Sequence, residues 1–233
     1  MDRSRRTSWL VVAALIGLAI AGVLLYPIAS AWVTNFTFRR EVAGMQRDFP
    51  DKDPHFQETL TMLLGEAKRY NEELVSVGQL PLSDPFTSEQ PSFDLSGFAI
   101  FDYVIGFLSI EAIDVDVPIL LGANAYGLER GAVQITQSSL PIGGASTNAV
   151  IAAHRNEATT MFRDLGKLDL GDTIRIRNYW DILTYQVVEI RIINPADVGE
   201  LTIQPGRDLV TLITEHPPGQ SSQRYVVIAE RIE

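Results

Sequence analysis

The chain has 233 residues, of which 46% are hydrophobic and 21% charged, and its formal net charge is −10. This length and composition predict one globular domain with a substantial core and additional appended segments. The negative charge argues against a basic phosphate-binding face, so no nucleic-acid partner is expected. The sequence contains no cysteine, which excludes disulfides, thiolate metal sites and thiol catalysis.

An uncharged apolar run, WLVVAALIGLAIAGVLLY, occupies residues 9–26 near the start of the chain. Its length is at the lower limit for a helix that spans a bilayer. A helix that continued to Val33 would be long enough to span it fully. Arginines precede the run and the next basic pair is at residues 39–40, which favours a cytoplasmic N-terminus. Residues 1–33 are therefore interpreted as a single-pass membrane anchor that leaves the C-terminal domain extracellular. The alternative is a signal peptide cleaved near residues 29–31.

An amphipathic helix is predicted within residues 34–79. Asp53 and Pro54 offer an N-cap followed by proline in the first turn, and Gly78 offers a stop. The apolar residues recur at spacings of three and four: Phe56, Leu60, Leu63, Leu64, Ala67, Tyr70, Leu74 and Val77.

Residues 80–97 are rich in proline, serine and aspartate and have no clear periodicity. A loop of this length inside a compact domain is commonly a functional lid or a disordered segment. We therefore treat residues 80–97 as a lid-like loop.

The remaining residues, 98–233, show the alternation that is typical of strands. Strands are predicted at residues 113–119, 133–136, 149–152, 173–177, 183–193, 209–214 and 225–232. Helical spacing appears only briefly, within residues 161–168. Several short strands without long intervening helices predict a mainly β fold, a closed or nearly closed β-barrel with short helices.

Three polar residues lie near strand ends that can meet in such a barrel: His154, Glu215 and Arg224. A cluster of these types can pair charges, orient an imidazole and stabilise an oxyanion. The structural alternative for His154 is a histidine that bonds a neighbour at a strand end. His55, His154 and His216 contain no pair at metal-ligand spacing, so neither a metal nor another cofactor is expected.

Several motifs occur in order along the chain. They are RYNEEL at residues 69–74, SDPF at 83–86, SSLPIGGASTNAVIAAHR at 138–155, MFRDLGKLDLGD at 161–172, and TLITEHP at 211–217, with Arg224 nine residues after Glu215. Together they resemble the class C, pilin-polymerising sortases, a branch of the cysteine transpeptidases of Gram-positive cell surfaces. The resemblance implies a sortase β-barrel that acts on an LPxTG-type sorting-signal peptide or a pilin subunit.

The resemblance also implies roles for individual residues. His154 is similar to the family's acid/base histidine, and Arg224 to the arginine that stabilises the intermediate. Asp84, Pro85 and Phe86 resemble the lid motif that covers the site, although SDPF alone also predicts a type I turn. Asp84 would then contact Arg224.

The main departure from the family pattern is Glu215, which stands where the resemblance places the cysteine nucleophile. A carboxylate is a poor acyl-transfer nucleophile because its product is a labile anhydride, so thiol transpeptidation is not expected. Two alternatives remain: a hydrolase that uses Glu215 as general base with His154 and Arg224 assisting, or an active enzyme in which Glu215 is a substitution.

Glu215 is expected to pair with Arg224 or with His154. In the first case it competes with Asp84 for the same guanidinium and repels Asp84 at short range. The lid is then expected either to sit loosely or to share Arg224 with Glu215.

Overall fold

The computed structural model describes residues 54–91, 95, 103–155 and 161–233, together with ten positions between residues 16 and 47. The chain divides into two compact units, Met1–Glu41 and Val42–Glu233. The anchor predicted for residues 1–33 lies outside the described residues, apart from two helical positions, Ile16 and Ile20. In the described part of the chain, no helix is both long and apolar enough to cross a membrane. The division into four segments stays a prediction.

The amphipathic helix predicted from the sequence is present as α1 (Pro54–Ser76). Its buried face consists of Leu60, Leu63, Ala67 and Asn71, which recur at the spacing of one helical face. The Asn71 side chain accepts the N–H of Leu140 at 2.8 Å and donates to its carbonyl at 3.2 Å. After the helix ends, Gly78 has a φ of +80°, a conformation that glycine adopts without a steric penalty.

Eight strands form a closed barrel in the order β1-β2-β3-β4-β7-β8-β6-β5. Their bounds are β1 Val104–Ile110, β2 Val115–Leu121, β3 Ala132–Gln134, β4 Thr147–Ala152, β5 Thr173–Asn178, β6 Ile182–Ile193, β7 Asp208–His216 and β8 Gln223–Arg231. A short helix, α2 (Ala125–Arg130), and 3-10 turns at Glu111–Ile113, Leu165–Lys167 and Pro195–Glu200 connect them. The predicted mainly β barrel with short helices is confirmed.

Two local predictions differ from the structure. The strand expected from Ile113 begins at Val115, because Ile113 closes a 3-10 turn and Asp114 takes a left-handed φ of 52°. The helix α2 was not predicted, since six residues are too few to show a helical period. Asn124 caps it by accepting the N–H of Gly127 at 2.9 Å.

The pairing of three strands brings the predicted site residues to one end of the barrel. Strands β4 and β7 are parallel, in a register that runs from Thr147 opposite Asp208 to Ala152 opposite Ile213. Strands β7 and β8 are antiparallel. Because parallel strands end at the same edge, the segment after β4, the end of β7 and the start of β8 converge.

Candidate active site

The three polar residues predicted from the sequence meet at this end of the barrel. His154 lies two residues beyond β4, and Glu215 is the penultimate residue of β7. Arg224 lies directly opposite Glu215 on the neighbouring strand β8. Ala153 fixes the segment before His154, because its carbonyl accepts the Thr214 hydroxyl at 2.7 Å.

Three donors hold the Glu215 carboxylate. Oε2 lies 2.9 Å from Nδ1 of His154 and 3.5 Å from the backbone N of Arg155, and Oε1 accepts the Ser221 hydroxyl at 3.0 Å. An ionised carboxylate can only accept hydrogen bonds, so Nδ1 of His154 carries a proton. The hydrogen bond from His154 lowers the pKa of Glu215 below the ordinary carboxyl value, against the opposing effect of partial burial.

Arg224 is completely buried and pairs with a different carboxylate. Its Nε and Nη2 each donate to one oxygen of Asp84 at 2.7 Å, and only 6% of the Asp84 side chain is exposed. Nη1 donates to the carbonyls of Ser221 and Gln223, at 3.1 and 2.8 Å. This bidentate geometry is the strong form of an arginine–carboxylate contact.

The predicted lid residues cover the cluster. The Phe86 ring centre lies 5.7 Å from the His154 ring centre and 5.0 Å from Cζ of Arg224. Pro85 is buried at the start of a turn in which the N–H groups of Thr87 and Ser88 point to the carbonyl of Asp84. The segment is thus a turn that packs over the site, and its role as a lid stays a prediction.

Of the two partners expected for Glu215, the structure shows His154, and the expected contact between Asp84 and Arg224 is present, so the two carboxylates do not compete for Arg224. The lid is docked, and Arg224 does not bridge two carboxylates: Asp84 pairs with Arg224, whereas Glu215 pairs with His154. The reason is geometric, since Asp84 already occupies the two parallel donors of the guanidinium and His154 offers Glu215 a separate donor.

Gln90 is a lid residue that the sequence analysis missed. Its amide Nε2 donates to the carbonyl of Ser83 at 2.9 Å, which closes residues 83–90 into a loop. Its Oε1 accepts the N–H of Thr136, and its own N–H donates to the carbonyl of Ala123, both at 2.8 Å. A lone glutamine carries no sequence signal for such a role.

Arg155 is a second missed residue. It is 8% exposed, and its Nε donates to the carbonyl of Arg163 at 3.3 Å while Nη1 donates to Nδ1 of His216 at 3.3 Å. Its guanidinium lies 5.1 Å from the ring centre of Tyr225. Burial lowers the pKa of Arg155. These contacts anchor the chain immediately after His154, and the only sequence signal is that adjacency.

The geometry limits the chemistry of the cluster. The lowered pKa of Glu215 makes this carboxylate a weak base, which disfavours the hydrolase alternative. Within the described residues, no group of three or more His, Asp or Glu is arranged to hold a metal ion. The polar groups of the site are therefore the imidazole of His154, the covered guanidinium of Arg224 and the carboxylate of Glu215.

Comparisons with known proteins agree with this architecture. A family profile described as "Sortase domain" matches residues 108–232. Sortase C2 of pilus island 1 of Group B Streptococcus is 34% identical, with a TM-score of 0.69, and the match covers 76% of this chain and 98% of that one. For a crystal structure of sortase C1 from Streptococcus agalactiae the identity is 32% and the TM-score 0.70, over 76% and 91% of the two chains.

Two curated relatives extend the comparison. Sortase D of Bacillus subtilis is 29% identical over 130 residues, which are 54% of this chain and 63% of the relative. Sortase A of Listeria monocytogenes is 26% identical over 55% of this chain and 57% of the relative. The matched part thus spans less than two thirds of either relative's length. With more than half of its length matched by the family profile, and with close structural similarity to class C pilin sortases, the chain belongs to the sortase family.

Proposed function

We propose that this chain is a membrane-anchored, cell-surface sortase homologue of the class C type that binds an LPxTG-type sorting signal or pilin segment without joining it by thiol transpeptidation. One observation carries the proposal. His154 and Arg224 flank the carboxylate of Glu215 beneath a docked lid, in a chain without cysteine.

Peptide binding is independent of the missing thiol. The surface beneath Phe86 and Asp84 consists of strand ends and the side chains of the cluster, so it becomes available to a peptide when the lid lifts. A cell-surface position is supported by the apolar run at residues 9–26 and the arginines that precede it.

Loss of transfer follows from the chemistry of Glu215. Acyl transfer to a carboxylate yields an anhydride, which water opens readily. The carboxylate also has its electron pairs engaged by His154, Ser221 and the Arg155 N–H, and its lowered pKa marks a weak nucleophile. Each of these effects acts against a productive acyl intermediate.

The experiment compares binding with turnover in the full chain, purified in a mild detergent. A fluorogenic LPxTG-type peptide is offered to the wild type, Glu215→Cys and Glu215→Ser, each with the native lid and with Asp84→Ala. We expect the wild type to bind without cleavage and Glu215→Cys to cleave, most clearly with Asp84→Ala. Glu215→Ser is the matched control, because it shortens the side chain as cysteine does but supplies no thiol.

Two outcomes would contradict the proposal. Cleavage by the wild type at the rate of Glu215→Cys would show that Glu215 supports catalysis. Absence of peptide binding by both the wild type and the Asp84→Ala variant would show that the groove is not a peptide site.

A further inference from the structure

Arg224 has two carboxylates within reach, although it uses only one. Asp84 comes from the lid and forms both hydrogen bonds. Glu215 is its direct cross-strand neighbour on β7, and side chains opposite each other on antiparallel strands have Cβ atoms about 5 Å apart. A rotation of the Glu215 side chain is therefore enough to bring its carboxylate to the guanidinium that Asp84 holds.

The consequence appears when the lid lifts. Asp84 leaves with the lid, whereas Arg224 stays on β8. In the closed structure, the Arg224 side chain is completely buried. Removal of one partner from a buried ion pair is strongly unfavourable because it leaves a charge without compensation. A carboxylate that remains on the barrel reduces this penalty, and Glu215 is such a group.

We propose that Arg224 exchanges Asp84 for Glu215 when the lid lifts, so that the opened groove carries no uncompensated positive charge and accepts an uncharged stretch of extended peptide while disfavouring a peptide that ends in a carboxylate. This inference rests on the proposed function for its ligand, but the exchange itself is independent of any peptide. It assigns to Glu215 the role of a specificity-determining residue.

The charges of the groove support this assignment. In the closed site, Asp84 neutralises Arg224 and Glu215 bonds His154. In the open site, Glu215 neutralises Arg224 and releases the imidazole of His154. The Arg155 guanidinium packs on Tyr225. Tyr225 and Arg224 are consecutive on β8, so their side chains point to opposite faces and the Arg155 guanidinium lies away from that of Arg224.

The first test is a double-mutant cycle on the full chain, measured by urea unfolding at neutral pH. We expect Asp84→Ala alone to be mild, since Glu215 replaces the lost partner. In Asp84→Ala/Glu215→Gln, Arg224 has neither carboxylate. Relative to wild type, the factor by which the equilibrium constant for unfolding rises in the double variant should be about five times the product of the factors in the two single variants.

The sign of the coupling separates the exchange from simple electrostatics. If the two carboxylates only repel each other, removal of both is less harmful than the sum of the single losses. The control is Asp84→Ala with Glu111→Gln, which removes the same charge from a carboxylate that pairs with Arg175 and is 81% exposed. That cycle should be additive. Additive or opposite coupling between Asp84 and Glu215 would overturn the exchange.

The second test uses two fluorescent peptides, Leu-Pro-Ala-Thr with a C-terminal carboxamide and with a free carboxylate. In Asp84→Ala we expect the carboxamide to bind about tenfold more tightly, because Glu215 compensates Arg224 and repels an anion. In Asp84→Ala/Glu215→Gln the preference should reverse. An unchanged preference would overturn the role of Glu215 in specificity.

The two tests fail in distinguishable ways. If neither peptide binds either variant but the cycle shows positive coupling, the proposed peptide function is wrong and the exchange of partners stands. If both peptides bind equally well to both variants and the cycle is additive, the peptide function stands and the exchange is wrong.

Discussion

The two carboxylate contacts of the site differ in exposure and in origin. The Asp84–Arg224 pair has side-chain exposures of 6% and 0%, whereas in the His154–Glu215 pair they are 32% and 19%. The first pair joins a loop to a strand 140 residues away in sequence, and the second joins the ends of two parallel strands. The comparison indicates that the lid pair is closed off from water, whereas the strand pair is partly in contact with it.

The largest expected loss of stability comes from Arg224→Met, which removes the buried pair. It removes the cation and leaves Asp84 buried, which we expect to cost about 3 kcal/mol, at the lower end for a buried pair because the lid can carry Asp84 into water. Urea unfolding of the full chain gives the free energy, and limited proteolysis reports lid release.

The matched control is Arg175→Met. Arg175 pairs with Glu111 on the surface, with side-chain exposures of 45% and 81%, and exposed pairs contribute little to stability. Equal losses of stability in the two variants would mean that burial of the lid pair has no energetic consequence.

A smaller effect is expected from the pH dependence of Glu215. Its pKa is lowered in the folded state by the hydrogen bond from His154. The resulting stabilisation is therefore complete above the ordinary carboxyl pKa of about 4.3 and is lost as pH falls through the lower folded-state value. We expect the free energy of unfolding of the wild type to exceed that of Glu215→Gln by about 1 kcal/mol at pH 7. This is a small value for a charge-assisted hydrogen bond because water reaches the pair.

Urea unfolding between pH 7 and pH 3 measures this difference for both proteins. The two curves should approach each other as pH falls through the lowered pKa of Glu215. A gap that stays constant as pH falls through that pKa would contradict the assigned bond.

The sequence predicts the strands of the barrel and the residues of the site, but it predicts the contacts among those residues less completely. Alternation and turn residues reveal most strands, and the order of motifs brings His154, Glu215 and Arg224 together, as the parallel pairing of β4 and β7 confirms. The resemblance predicted the Asp84–Arg224 contact, but it left the partner of Glu215 open between Arg224 and His154, because only side-chain geometry decides between them. Gln90 was missed for a related reason, since its bonds reach backbone groups of distant segments.

The smallest predicted effect concerns Ser221, which bonds the free oxygen of Glu215 at 3.0 Å. Ser221→Ala removes one exposed donor, so we expect a loss of about 0.5 kcal/mol at pH 7. Because this bond also lowers the pKa of Glu215, the loss should be smaller at pH 3 than at pH 7. Ser222→Ala is the control, since its hydroxyl lies 3.4 Å from the carbonyl of His216 and does not contact Glu215. If both serine variants lose stability equally at both pH values, the turn rather than the carboxylate accounts for the effect; a loss confined to Ser221→Ala and larger at pH 7 identifies Glu215 as the group that the turn holds.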